Sequence, residues 1–174
     1  MRLFIAAELP EEVLDALVET QAALRDTVRG RYTAPDSLHL TLAFLGEVSA
    51  ARLDEVASAL ERGCAGHGPV EVRLGALGSF GRRRSAVLWQ GLTGGPELAS
   101  LAADVRGALE DAGFAFDEKP FLAHITLMRA ADLSRGELPM PGMARGMLDT
   151  VTLFKSDLSG ARPIYEPLHV VSLA

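Results

Sequence analysis

The tetrad His39-Leu40-Thr41-Leu42 and its near copy His124-Ile125-Thr126-Leu127, 85 residues further along, organise this sequence of 174 residues. Side chains two apart in a β-strand point to the same face, so each tetrad presents an imidazole and a hydroxyl together. The alternate leucine and isoleucine side chains then pack on the opposite, apolar face. Because the chain has only four histidines, the two copies predict a symmetric polar site built on two strands.

The segments around the two tetrads repeat as well, which favours an internal duplication. Each half begins with an apolar run, at 3–7 and at 86–92, followed by a Pro-Glu pair that starts a helix, at Pro10 and at Pro96. The pattern predicts further strands at 38–45, 70–74, 122–128, 148–154 and 167–173, and helices that run from Pro10 to Val28, from Ser49 to Gly63 and from Pro96 to Gly113. We therefore predict one α+β domain over residues 1–174, with repeat copies at about 1–85 and 86–174.

Composition and charge limit the class of protein. The chain is 48% hydrophobic and 23% charged, which is typical of a globular protein. Its net charge of −6 argues against nonspecific coating of nucleic acid, which needs many cations to neutralise phosphates. Of the 17 basic residues, 15 are arginine, the side chain suited to forked contacts with a single phosphate. Recognition of one RNA end therefore stays open.

Cysteine usage and hydropathy add two exclusions. Cys64 is the only cysteine, so an intramolecular disulfide and a cysteine-based zinc site are both excluded. The apolar run at the N-terminus stops at Ala7, too early for a signal peptide, and no apolar stretch approaches the roughly 20 residues of a membrane helix. We expect a soluble cytoplasmic protein with no membrane partner.

The residue types of the two tetrads suit acid–base chemistry at phosphorus. Two imidazoles titrate near neutral pH, so one can deprotonate a nucleophile while the other protonates a leaving oxygen on the opposite side. Two hydroxyls can hold the non-bridging oxygens, as an in-line attack on a phosphodiester requires. A zinc site needs further ligands, and neither tetrad has a carboxylate or cysteine at ligand spacing. We therefore expect a site without a metal or another cofactor.

These residues resemble the two-histidine (2H) phosphoesterases, and within them the bacterial and archaeal RNA 2′,3′-cyclic phosphodiesterases historically called 2′-5′ RNA ligases. The specific part of the likeness is the pair of His-x-Thr motifs, with Phe-Leu-Gly after the first. The segments that carry it are Arg2-Leu3-Phe4-Ile5-Ala6, Leu9 to Glu12, Pro35 to Glu47, Val87-Leu88-Trp89, Pro120 to Arg129, Leu153 to Ser156 and Tyr165 to Leu168. The resemblance implies a bilobal fold of two interleaved, pseudo-two-fold-related lobes. Each lobe would have an antiparallel sheet and outer helices, with the active-site cleft between them.

The resemblance also implies a reaction, which is the metal-independent opening of a 2′,3′-cyclic phosphate at an RNA end to a 2′-phosphate. It implies that His124 accepts a proton from water and that His39 donates one to the departing 3′-oxygen. Thr41 and Thr126 would then hold the phosphate oxygens. Arg129 falls five residues after His124, where the family-like motif carries an arginine, and is implied as a further phosphate ligand.

Several other side chains are candidate nucleotide contacts. In the first copy Phe44 stands where the second copy has Arg129, and it is either a core residue or a platform for base stacking. Contacts to a base, a ribose or the RNA backbone are also predicted for Tyr32, Arg84 and Tyr165. The run Arg82–Arg84, where the family often has a proline-interrupted basic stretch, is either a solvated loop or a guide for RNA.

Two other functions stay open at this point. A cyclic phosphate can be attacked by a 5′-hydroxyl instead of water, which would make the same site a reversible 2′-5′ RNA ligase. The third hypothesis is a module that binds RNA ends without turnover, although binding alone needs no pair of imidazoles. The expected partners are RNA 3′ ends with a 2′,3′-cyclic phosphate, or cyclic nucleotides, and we infer no obligate protein partner.

Overall fold

A computed structural model describes all residues, 1–174, and contains nine β-strands and three α-helices. The strands are β1 (Arg2–Ala7), β2 (Arg31–Tyr32), β3 (Leu40–Glu47), β4 (Val70–Arg82), β5 (Ser85–Thr93), β6 (His124–Ala131), β7 (Arg145–Leu148), β8 (Thr150–Asp157) and β9 (Ile164–Ser172). The helices are α1 (Glu11–Arg25), α2 (Leu53–Cys64) and α3 (Gly95–Asp111). The prediction of an α+β fold is confirmed.

The strands form two antiparallel sheets, in the orders β3-β1-β8-β9 and β2-β6-β5-β4-β7. Strand β1, at the start of the chain, pairs with β8 near its end, so that Leu3 lies opposite Lys155. Strand β4, from the first half, pairs with β5 of the second half. Each sheet thus contains strands from both halves, and the orders β3-β1-β8 and β6-β5-β4 become equivalent when the halves are exchanged. We infer from this exchange an internal duplication with copies at about 1–85 and 86–174.

Both motif strands carry a β-bulge immediately after the threonine, and each has a second register shift nearer its C-terminal end. The register of β3 against β1 gains an extra residue at Leu42, and the register of β6 against β5 gains one at Leu127. A bulge places two residues opposite one and changes the face to which the following side chains point. The two bulges have the same 85-residue spacing as the motifs, which supports the proposed duplication.

The helices cover the sheets through apolar faces. Helix α1 packs beside β7 of the five-stranded sheet, whereas α2 and α3 pack on each other and on the four-stranded sheet. Gly63 allows α2 to approach α3 closely, because a Cβ at this position would lie 2.7 Å from the Cα of Val105. None of the three helices is both long enough and apolar enough to cross a lipid bilayer.

Two helix boundaries differ from the sequence predictions by three residues or more, and the other four agree to within two. Helix α1 ends at Arg25 instead of Val28, and Val28 reaches the core from the turn that follows, where its amide donates to the carbonyl of Leu24. Ser49 caps a short 3-10 helix, so α2 begins only at Leu53. In both cases the apolar spacing continues beyond the α-helical backbone.

The strand predictions were wrong at several places. Strand β2 was not predicted, β3 and β6 each begin two residues later than predicted, and β9 begins three residues earlier. Strand β4 extends far beyond the predicted 70–74, because glycines interrupt its apolar alternation without ending the strand. Gly78 is one of them, and a Cβ there would clash with the indole of Trp89, which lies across β4. The run Arg82–Arg84 is therefore a strand end and the turn of the β4–β5 hairpin. The predicted strand 148–154 is divided between β7 and β8.

Candidate active site

His39 immediately precedes β3, and two hydrogen bonds fix the orientation of its ring. Its Nδ1 lies 2.7 Å from the carbonyl oxygen of Ser37, so Nδ1–H donates to this carbonyl. Its Nε2 lies 3.0 Å from Oγ1 of Thr41 and accepts from this hydroxyl when the ring is neutral. The local fold therefore selects the tautomer that directs an unprotonated Nε2 toward Thr41.

Aromatic rings from three strands of the four-stranded sheet surround His39. Phe4 of β1 stacks on the imidazole with ring centroids 5.0 Å apart, and Tyr165 of β9 meets it edge-on at 5.4 Å. Phe154 of β8 stacks in turn on Phe4, at 5.2 Å. This aromatic wall leaves His39 half-buried and keeps water from one side of its ring.

His124, the first residue of β6, has the same local arrangement. Its Nδ1 lies 2.6 Å from the carbonyl oxygen of Leu122, two residues earlier in the chain as in the first motif. Phe80 and Trp89 meet the imidazole edge-on, with centroid distances of 5.2 and 5.8 Å. Only Nδ1 of this ring is engaged within the protein, so Nε2 is available to a bound molecule.

The two motif strands are neighbours, because Cα atoms of β3 and β6 approach within 8 Å of each other. Burial is the largest cause that lowers the pKa of His39 from 6.5 to about 4, although the hydrogen bond to Ser37 opposes it. The positive charges of Arg129 and His124 lower this pKa further, which places both groups near His39. With no anion beside it, His39 is neutral at pH 7.

The lowered pKa of His39 predicts a loss of stability in mild acid. Between pH 6.5 and about 4, the unfolded chain binds a proton at this residue that the folded protein does not. The free energy of unfolding therefore falls as the pH falls through this window, by about 3 kcal/mol over its full width, and the contribution is complete only above pH 6.5. Urea unfolding at neutral pH and near the lower end of the window should show a smaller decrease for His39→Gln than for the wild type. Equal decreases in the free energy of unfolding for the variant and the wild type would contradict the low pKa of His39.

The bulges in β3 and β6 bring Phe44 and Arg129 to the face of the histidines. Each lies five positions after its histidine, an odd spacing that would place it on the opposite face of a regular strand. The extra residue in each bulge shifts the alternation by one, so that the side chain five positions after the histidine points to the same face as the histidine. Accordingly, Phe44 is exposed and lies 5.9 Å from Phe4 between ring centroids, and Arg129 is exposed and acts on the pKa of His39.

The other predicted contacts lie in different places. Tyr165 lies against His39, as described above. The hydroxyl of Tyr32 instead donates to the carbonyl oxygen of Val28 at 2.7 Å, and its ring lies 4.7 Å from the guanidinium of Arg25. The structure thus gives Tyr32 a role in the α1–β2 connection, and its contact with a nucleotide stays a prediction. Arg84 lies in the exposed turn of the β4–β5 hairpin, and its contact with RNA also stays a prediction.

Sequence reasoning missed the four aromatic residues that line the two histidines, namely Phe4, Phe80, Trp89 and Phe154. Phe4 and Trp89 are 85 residues apart, the spacing of the motifs themselves, so the repeat contained a signal for both. Phe80 lies in β4, which the β4–β5 hairpin brings beside Trp89, although the predicted strand 70–74 ended before Phe80. Phe154 lies in β8, which reaches the site only by pairing with β1 of the other half, and nothing local in the sequence indicates that pairing.

Comparison with known proteins places the chain in a family. The family model described as LigT like Phosphoesterase matches residues 7–89. The RNA 2′,3′-cyclic phosphodiesterase of Escherichia coli K12 is 36% identical over 169 residues, which are 96% of this chain and 93% of that protein.

Solved structures of similar proteins superpose on nearly the whole chain. A crystal structure from Thermus thermophilus superposes with a TM-score of 0.86 at 32% identity, covering 99% of this chain and 98% of that chain. The crystal structure of E. coli LigT complexed with 3′-AMP gives a TM-score of 0.81 at 33% identity, covering 99% and 97%. The resemblance inferred from the two His-x-Thr motifs is confirmed, and the chain belongs to the LigT-like phosphoesterase family.

Proposed function

We propose that this protein hydrolyses the 2′,3′-cyclic phosphate at the 3′ end of RNA to a 2′-phosphate and a free 3′-hydroxyl. The observation that carries the proposal is the pair of His-x-Thr sets on neighbouring strands, each with its imidazole oriented by a backbone carbonyl. Relatives named RNA 2′,3′-cyclic phosphodiesterase support it, including the E. coli protein at 36% identity. The proposed enzyme is a hydrolase that needs no cofactor, because its two imidazoles supply the acid and the base.

In the proposed reaction, the two imidazoles act on opposite sides of the phosphorus. His124 accepts a proton from water at Nε2 while the water oxygen bonds to phosphorus; the bond from phosphorus to the 3′-oxygen breaks as His39 donates a proton to that oxygen. Thr41, Thr126 and Arg129 bind the non-bridging oxygens, whose negative charge grows during the attack. One proton enters the enzyme and one leaves it, so exchange with solvent restores the starting state.

The low pKa of His39 imposes a condition on its role as donor. A neutral His39 carries its proton on Nδ1, where it donates to the carbonyl of Ser37, and has none to give from Nε2. A phosphodiester anion bound beside the ring favours the charged form and raises the pKa. The donor role of His39 therefore depends on the bound phosphate.

The aromatic wall beside His39 suits a nucleoside. Phe44 is 45% exposed and lies next to Phe4, so it presents an open ring face for base stacking. Tyr165 presents a hydroxyl at the same wall. The crystal structure of the E. coli relative with 3′-AMP supports a nucleotide as part of the substrate.

An arginine cluster at the end of the β4–β5 hairpin favours an RNA chain over a free nucleotide. The turn Arg82–Arg84 is joined by backbone hydrogen bonding to the loop after β6, which adds Arg135. The carboxylate of Asp132 interacts with the charges of Arg84 and Arg135 and offsets part of them. The same hairpin carries Phe80, whose ring contacts His124. The cluster therefore lies beside the face of β3 and β6 that carries both histidines, Phe44 and Arg129, which we call the groove. We propose that it binds phosphates upstream of the RNA end.

Incubation with a short RNA that ends in a 2′,3′-cyclic phosphate, in excess chelator, tests the proposal. We expect a 2′-phosphate end, identified by mass spectrometry and by comparison with synthetic standards. A 3′-phosphate product, a requirement for added metal or an absence of turnover would each overturn the proposal. If an RNA with a 5′-hydroxyl is added and a 2′-5′ joined product predominates, ligation is the main activity instead.

The same assay tests the arginine cluster. The double variant Arg82→Gln with Arg84→Gln should raise KM for the oligonucleotide and leave KM for 2′,3′-cyclic AMP unchanged, because only the longer substrate reaches the turn. Arg62→Gln, an exposed change at the end of α2, is the control for the altered charge. An equal effect of the double variant on both substrates would contradict the assignment.

A further inference from the structure

Two helix side chains donate hydrogen bonds to the backbone at the two bulges. Arg106 of α3 donates from Nε to the carbonyl oxygen of Leu42 at 2.9 Å. Gln21 of α1 donates from Nε2 to the carbonyl oxygen of Leu127 at 2.9 Å. The two donors are 85 residues apart, and so are the two acceptors, which makes this contact part of the repeat.

Each donor is held in place by further contacts. Gln21 is only 1% exposed, and its Nε2 also donates to the carbonyl oxygen of Thr33 at 2.8 Å. Arg106 donates from Nη1 to the carbonyl oxygen of Lys119 at 2.8 Å, and its guanidinium lies within 6 Å of the centres of two phenylalanine rings. Both donors are therefore fixed, and each fixes a bulge carbonyl in turn.

The position of each bulge decides which side chains share the groove. With the bulge at Leu127, Arg129 lies on the face of His124; with the bulge at Leu42, Phe44 lies on the face of His39. A shift of a bulge by a few positions along its strand would return the arginine or the phenylalanine to the opposite face. A contact that holds the extra residue where it is would therefore also hold these side chains on the face of the histidines.

We propose that Gln21 and Arg106 are positioning residues, which fix the bulges at Leu127 and Leu42. Through the bulge at Leu127, Gln21 keeps Arg129 on the same face of β6 as His124. Through the bulge at Leu42, Arg106 keeps Phe44 on the same face of β3 as His39. Neither side chain contacts a histidine, so each acts through the backbone. The kinetic consequence of this proposal rests on the proposed function, whereas its structural consequence does not.

Gln21→Met tests the proposal in β6, because methionine has a similar shape and no hydrogen-bond donor. We expect kcat/KM for the cyclic phosphate to fall about 10- to 100-fold, the cost of a misplaced substrate contact. In an Arg129→Ala background the same substitution should lower kcat/KM by less than about threefold. The reason is that Gln21 acts by placing the Arg129 side chain, which this background already lacks. Equal losses in both backgrounds would overturn the proposal.

Thr20, the preceding residue of α1, provides a matched control. It is also buried, and its Oγ1 donates to the carbonyl oxygen of Ala16 and accepts from the amide of Gly142, so it touches no bulge. Thr20→Val should lower Tm about as much as Gln21→Met and keep kcat/KM within about threefold of the wild type. A loss of activity equal to that of Gln21→Met would show that a loosened α1 is the cause, and would overturn the proposal.

Histidine NMR signals provide a readout that needs no activity. The chain has four histidines, and two of them lie outside the site. Nε2 of His67 lies 2.6 Å from Oδ2 of Asp104, and Nε2 of His169 lies 2.8 Å from Oε1 of Glu61. The Cε1–H signals of these two residues therefore serve as internal references for the other two.

Gln21→Met should shift the Cε1–H signal of His124, and Arg106→Met that of His39, while the references stay in place. This pattern in a protein without cyclic phosphodiesterase activity would support the positioning role and reject the proposed function. Shifts of both site histidines in each variant, or of neither, would overturn the positioning role whatever the activity.

Discussion

Replacing His39 or His124 by alanine is expected to lower kcat/KM for a 2′,3′-cyclic phosphate about 10²- to 10⁴-fold in each case. Each imidazole transfers a proton in the proposed reaction, and its Nδ1 contact with a backbone carbonyl holds it ready for that transfer. Binding should change much less, because the two threonine hydroxyls and Arg129 remain. Steady-state kinetics together with calorimetric titration of the 2′-phosphate product measure both effects.

A substrate with sulfur in place of the bridging 3′-oxygen separates the two roles. A thiolate leaves without protonation, so this substrate does not need a general acid. We expect His39→Ala to recover most of its activity with the sulfur substrate and His124→Ala to stay slow. The reverse pattern would make His124 the donor, in agreement with the pKa of about 4 for His39. Little loss in either variant with the natural substrate would contradict acid–base catalysis by this pair.

Replacing Thr41 or Thr126 by valine is expected to lower kcat about 10²- to 10³-fold, as the removal of one donor to a developing oxyanion does. Valine keeps the shape of threonine and loses only the hydroxyl. Because the hydroxyl of Thr41 also contacts Nε2 of His39 at 3.0 Å, Thr41→Val should change the pH dependence of kcat as well. Rapid-quench kinetics over a range of pH measures both effects.

Serine at either position is the control for the valine variants, because it restores a hydroxyl and removes only a methyl group. Thr41→Ser and Thr126→Ser should keep most of the activity. If serine and valine variants lose activity equally, packing and not hydrogen bonding explains the loss, and the role assigned to the hydroxyls is wrong.

Features set by neighbouring residues were predictable from the sequence. The alternation in the two tetrads indicated that Leu40, Leu42, Ile125 and Leu127 face the core, and all four are fully buried. Proline, glycine and apolar spacing likewise located the three helices to within a few residues. These features depend on periodicity within one strand or helix, so they can be predicted without knowledge of the fold.

Features that depend on distant residues were not predictable. Arg129 was identified from its place in the motif, but its position beside His39 requires a bulge, which strict alternation does not contain. The aromatic wall beside His39 is completed only by the pairing of β1 with β8, from opposite halves. The low pKa of His39 follows from burial against Phe4 and its neighbours, which a tetrad alone cannot reveal.

The exchange of strands between the halves also determines when an active groove can exist. Strand β1 is flanked on one side by β8, so that Leu3 finds its partner Lys155 only after almost the entire chain is available. Closing so long a loop is slow, and until it closes β1 has an unpaired edge. Phe154 and Tyr165, which enclose His39, arrive with the same late strands. During synthesis, a nascent chain therefore carries both histidines before the strands that enclose His39 exist, and the site is complete only after β8 and β9 have paired.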